Sequence, residues 1–220
     1  MTVGSGVTLI GLTANHNRNG LNIDCNCHGI ARDSDFSYND QRGVSLSWEG
    51  QWTVENSTVG HNGGTGIYAG PLIYNLTLRD NRVSDNLVDG IRLQNQDDGA
   101  TISGNEVSRN GGDGIHVDTS DSHITDNTTR GNGGTGIWVR ESVDTSFGPA
   151  YLIADNISQG NGEYGIRACI DPNFSPQCLP GMIDGGGNVA GGNQLTPQCI
   201  NIICLDAVPP PQPTLTRASR

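Results

Sequence analysis

Residues 105–117 read Asn105-Glu106-Val107-Ser108-Arg109-Asn110-Gly111-Gly112-Asp113-Gly114-Ile115-His116-Val117. Residues 127–139 repeat the pattern as Asn127-Thr128-Thr129-Arg130-Gly131-Asn132-Gly133-Gly134-Thr135-Gly136-Ile137-Trp138-Val139. The ending, Gly-apolar-x-apolar, starts at seven glycines: Gly20, Gly43, Gly66, Gly90, Gly114, Gly136 and Gly165, at intervals of 23, 23, 24, 24, 22 and 29 residues. Every apolar slot holds Ala, Val, Ile or Leu, and no slot between them is aliphatic. Such alternation predicts a strand with one buried face.

Two further columns keep step. Asn stands four positions before the glycine at Asn39, Asn62, Asn86, Asn110, Asn132 and Asn161, with His16 there in the first repeat. It stands nine before at Asn81, Asn105, Asn127 and Asn156, each with an apolar residue three positions earlier. Each repeat therefore holds three short strands joined by polar turns, with no room for a long helix. Each strand pairs with its equivalent in the next repeat, which predicts a parallel β-solenoid. Recurrent Asn is expected for two reasons: it tolerates the left-handed turn conformation, and buried amides can satisfy one another along a ladder.

The pattern resembles the right-handed parallel β-helix repeat family, which includes pectate-lyase-like enzymes, alginate epimerases and lyases, and phage tailspikes. The resemblance covers roughly residues 7–204. It implies an all-β, right-handed parallel β-helix of about seven to eight coils. The helix is expected over 1–206, with an irregular last coil at 181–206 and a Pro-rich tail at 207–220. No cap helix precedes the first coil, so the chain is expected either to be a fragment or to stack its first coil, residues 1–24, on another chain.

Composition narrows the function. Acidic residues number 23 against 12 basic, a net charge of −11, which disfavours nucleic acid as a partner. All basic residues are Arg; without Lys, Schiff-base and P-loop lysine chemistry are excluded. No apolar run is long enough to insert in a membrane. Gly131 to Gly136 matches GxGxxG formally, but a strand rather than a helix follows, so a dinucleotide site is rejected. Of five glycosylation sequons, Asn127 and Asn156 belong to a ladder and are expected to point inward.

The six cysteines suit an oxidising compartment, and a secreted, extracellular or bacterial cell-surface location is expected. Local loops favour Cys169 with Cys178 and Cys199 with Cys204. Cys25-Asn26-Cys27-His28 reads as a local disulfide or two free thiols, with a soft metal cluster as the rarer alternative.

The informative column is the slot between the apolar pair: Asn22, Ser45, Tyr68, Arg92, His116, Trp138 and Arg167. At about 4.8 Å per coil these side chains form an outward stripe. Tyr68, Trp138 and Arg167 are candidate carbohydrate contacts, because aromatic faces stack on sugar rings and guanidinium forks grip carboxylates. Asp89, Asp113, Asp118 and Arg140 flank the stripe. His116 and Asp118 are candidate base and orienter, with Asp113, Arg92 and Arg140 completing the catalytic set. The family resemblance adds Ca²⁺ as a possible cofactor on Asp89, Asp113 and Asp118, with Arg92 or Arg140 as base. The family's named catalytic motifs are absent. Insertions at Glu141–Ala150 and Asp171–Pro180 are expected to wall one end. As outward residues, His116 and Trp138 are expected to change stability by no more than about 0.5 kcal/mol when replaced. The expected function is an extracellular polysaccharide-binding or polysaccharide-processing module; the alternative is a non-catalytic structural or adhesion segment of a larger surface protein.

Overall fold

The computed structural model describes residues 6–96, 99–119, 121–140, 151–168 and 182–207. These form three parallel sheets and contain no helix. Two sheets have eight strands and the third has seven, each strand bonded to its equivalent one coil away. The chain is a right-handed parallel β-helix, and eight stacked strands span roughly 34 Å along its axis. Among the described residues no helix is long and apolar enough to cross a membrane.

The repeat strands stack in one sheet, from Leu21–Asp24 to Cys199–Ile200. Their apolar pairs point into the solenoid: Ile91, Leu93, Ile115, Val117, Ile137 and Val139 are fully buried. A second sheet contributes Val54, Leu78, Ile102, Ile124 and Ile153 to the same core, and the third contributes Val59, Val83 and Val107.

Both amide ladders form. From Asn39 through Asn62, Asn86, Asn110, Asn132 and Asn161 to Asn193, each Nδ2 donates to the next Oδ1 at 2.8–3.0 Å. Gln198 ends this ladder by accepting from the N–H and Nδ2 of Asn193. The second ladder runs Asn81, Asn105, Asn127, Asn156, Asn188 at 2.9–3.1 Å. Asn127 and Asn156 are fully buried, so two sequons are closed to modification. In the first coil Asn17, not His16, takes the ladder place, its N–H donating to Asn39 Oδ1. His16 holds the left-handed turn position just before it.

That detail corrects one reason given for the Asn columns. The left-handed residues are the ones preceding the ladder, among them Tyr38, His61, Asp85 and Arg109. Asn recurs because the ladder needs amides, not because the turn needs its conformational tolerance. The seven repeat glycines likewise have no positive φ. A Cβ on Gly114 would lie 2.5 Å from Gly136 O and 2.8 Å from Asn132 Nδ2, and the other six meet the equivalent neighbours at 2.6–2.9 Å. The glycine is there because the next coil's backbone and ladder amide approach too closely for a side chain.

Cys25 pairs with Cys27, and Cys199 with Cys204 as expected. Cys169 and Cys178 lie outside the described residues, as do both insertions expected to form a wall and residues 208–220 of the expected tail. The segment closed by Cys199–Cys204 returns to the last coil: Ile202 is 6% exposed within the core, and Ile203 N–H donates to Asp184 Oδ2 at 2.7 Å. Asp184 stands where earlier coils place Ile153 and Ile124. A carboxylate thus replaces the aliphatic column where the chain doubles back.

Candidate functional site

The register puts the stripe in line. Ser45 pairs with Tyr68, Tyr68 with Arg92, Arg92 with His116, His116 with Trp138, and Trp138 with Arg167. Alternation along each strand turns these side chains to the outer face while Ile115 and Val117 fill the core.

His116 is nevertheless only 3% exposed, which overturns the expectation of a solvated side chain. Three neighbours cover it. Trp138, one coil on, lies 4.3 Å away between ring centroids, tilted by 44°. Asp113 Oδ2 is 2.9 Å from His116 Nδ1, and Asp118 Oδ1 is 3.3 Å from Nε2. Each ring nitrogen thus faces a carboxylate, Nδ1 that of Asp113 and Nε2 that of Asp118. Asp113 is itself fixed, because its Oδ1 accepts the Thr135 N–H of the next coil at 2.7 Å. Asp89 repeats the device one coil back: Oδ1 accepts Asp113 N–H at 2.8 Å, and Oδ2 accepts from Arg92 at 3.1 Å. Arg92 also reaches Asp118 Oδ2 at 3.7 Å. The charges alternate in a chain: Asp89, Arg92, Asp118, His116, Asp113.

Burial alone pulls the His116 pKa down, but the hydrogen bond to Asp113 and the closeness of Asp118 outweigh it, against Arg92, and it is pushed up to about 8. A pKa near 8 favours the protonated imidazole at neutral pH, with Nδ1 against Asp113 Oδ2. His116 Nε2, Asp118 Oδ1 and Trp138 Nε1 are all buried and make no hydrogen bond of ordinary geometry. His116 Nε2 and Asp118 Oδ1 face each other as an ion pair at 3.3 Å beneath the Trp138 ring.

Calcium does not fit. Both oxygens of Asp89 and of Asp113 are already engaged, by a backbone N–H and by Arg92 or His116. Among the described residues no group of three or more His, Cys, Asp or Glu is arranged to hold a metal. Arg140 follows the strand Ile137–Val139 and is exposed, outside the central charge chain.

Two residues outside the sequence-derived candidate set join the stripe. Arg42 Cζ lies 3.6 Å from the Tyr68 ring centroid, and its Nη1 donates to Ser45 Oγ at 3.2 Å. Tyr164 lies under Arg167, whose Cζ is 5.8 Å from the Tyr164 ring and 5.1 Å from the Trp138 ring. Both occupy the position just before the repeat glycine, the same column as Asp89 and Asp113. That shared column was the available signal.

Comparison with solved structures finds the same fold in the periplasmic alginate epimerase AlgG. Its T265N mutant aligns with a TM-score of 0.64 at 18% identity, over 82% of this chain and 44% of that one. Another AlgG structure aligns with a TM-score of 0.60 at 17% identity, over 82% of this chain and 45% of that one. The chain thus spans less than half the length of these neighbours. No curated protein matches the sequence. The family model described as "right handed beta helix region" matches residues 1–125 and 89–173, most of the chain. The chain belongs to the right-handed β-helix family.

Proposed function

We propose that the chain binds an acidic polysaccharide along the Tyr68–Arg167 stripe, as a binding or processing module of an extracellular or periplasmic protein. One observation carries the reading. Five of the described arginines, Arg32, Arg79, Arg82, Arg92 and Arg109, lie within 4.0 Å of a carboxylate. Arg18, Arg42, Arg130, Arg140 and Arg167 have no such partner among the described residues, and of these Arg42 and Arg167 lie over aromatic rings of the stripe. Arg42 and Arg167 are each held on an aromatic face, which leaves in-plane N–H groups beyond the Arg42 Nη1 bond to Ser45 to grip an anion. In a chain of net charge −11, cations left unneutralised on one face favour an external acidic ligand there. The solved neighbours are named alginate epimerases, and alginate is a polysaccharide, which supports the same class. Disulfides support the location.

If the module also does chemistry, His116 donates a proton and Asp118 is the carboxylate beside it, under the roof of Trp138. The test is a glycan array comparing polyuronates with neutral polysaccharides at two salt concentrations. Binding confined to acidic chains and weakened by salt is expected. No binding to any polysaccharide would favour the spacer or adhesion reading instead.

A further inference from the structure

The two arginines stacked on aromatic rings of the stripe lie at its opposite ends. Arg42 belongs to the coil of Gly43 and Arg167 to that of Gly165, with Tyr68, Arg92, His116 and Trp138 on the coils between. Five coil spacings separate the strands that carry them. Each arginine leans toward the middle, Arg42 onto Tyr68 and Arg167 onto Trp138, so the guanidinium groups are roughly 14–24 Å apart, three to five spacings. Between them Arg92 and His116 are tied in ion pairs to Asp89, Asp113 and Asp118, and exposed Arg140 follows the Trp138 strand.

The face thus carries a ring-stacked guanidinium at each end, while Arg92 and His116 between them are held by carboxylates. A small anion could satisfy one end only. We infer that the Arg42–Tyr68 and Arg167–Trp138 pairs are the two end clamps of a single groove that reads the length of an acidic polysaccharide laid parallel to the solenoid axis. The inference rests on the polysaccharide reading above and adds a length requirement to it. A chain long enough to reach both clamps binds the second one intramolecularly, at high effective concentration, whereas a shorter chain gains only one contact. The ring beneath each arginine holds the fork in place, so little side-chain freedom is lost when the ligand arrives.

The experiment is calorimetric titration of the chain with size-fractionated polyuronate oligomers, from dimers to chains well beyond the span, at one ionic strength. Affinity is expected to rise by tenfold or more across the length that first bridges the clamps, then to level off. Arg42→Gln and Arg167→Gln should each remove that step, weakening long oligomers about tenfold and short ones less than threefold. Arg42→Lys should restore it only in part, since an ammonium keeps the charge but not the stacked fork. The wild-type length series needs no variant, so a misfolded mutant does not blunt the test. Affinity that climbs smoothly with length, or Arg42→Gln binding long chains like the wild type, overturns the two-clamp arrangement while leaving polysaccharide binding intact. Absence of binding at every length overturns the polysaccharide reading itself, and the clamps with it.

Discussion

Trp138 roofs His116: the two rings belong to neighbouring coils and lie 4.3 Å apart, so a residue on the outer face of a sheet is as sealed as one in the core. Removing that histidine is therefore a buried substitution. His116→Ala strips Asp113 Oδ2 and Asp118 Oδ1 of the cation between them and leaves two carboxylates facing each other. A loss of about 2–3 kcal/mol is expected in urea unfolding, the range for unpairing a largely buried polar group. A loss under 0.5 kcal/mol would mean the imidazole is solvated after all.

The same pairing makes stability depend on pH. The folded-state pKa of His116, about 8, lies above the ordinary value of 6.5. Its contribution is full below pH 6.5 and disappears as the pH rises through about 8, an effect on the order of 2 kcal/mol. Urea midpoints at pH 6 and pH 9 measure it, with His116→Gln as the control. The wild type should lose more stability than the variant on going to pH 9; parallel losses would assign the change to other groups.

The ladders make a sharper prediction about position. Asn110 accepts from the N–H and Nδ2 of Asn86 and donates to Val83 O and Asn132 Oδ1. Asn110→Ala orphans buried groups on both neighbouring coils, and a cost of about 2–4 kcal/mol is expected. Asn17 is exposed and its side chain donates only to Asn15 O, so Asn17→Ala should cost less than about 1 kcal/mol. Equal costs would show that the ladder is not what holds the coils.

The returning segment should govern how the solenoid frays. Breaking Cys199–Cys204 as a double Ser variant frees the loop that carries Ile202 and should cost about 2 kcal/mol. Because each coil contacts mainly its neighbours, the damage should stay local. Hydrogen exchange should speed up first in Val189–Gly191 and Ile166–Ala168, while Ile91 and Ile115 keep their protection. Uniform loss of protection along the chain would contradict this.

Period and alternation revealed the architecture because they record which side of each strand faces the core. Ile115 and Val117 were readable as core residues for that reason. Alternation says nothing about what covers the outer side, and His116 is covered by Trp138, Asp113 and Asp118 from two different coils. The stripe itself was legible, but the Arg42–Tyr68 stack was not, since it depends on a side chain crossing between coils. The purpose of the repeat glycine was hidden for the same reason: the obstacle is Gly136 O and Asn132 Nδ2 of the next coil, not the local backbone.

The amide ladder also acts as a spacer gauge. Its steps cover 23, 24, 24, 22, 29 and 32 residues of chain, yet each closes with the same 2.8–3.0 Å hydrogen bond. The surplus of the two longest steps falls largely between Val139 and Tyr151 and between Ala168 and Met182, just past the strands that carry Trp138 and Arg167. The stack thus tolerates coils of different chain length. The ladder therefore fixes the height of each coil independently of how much chain the coil contains.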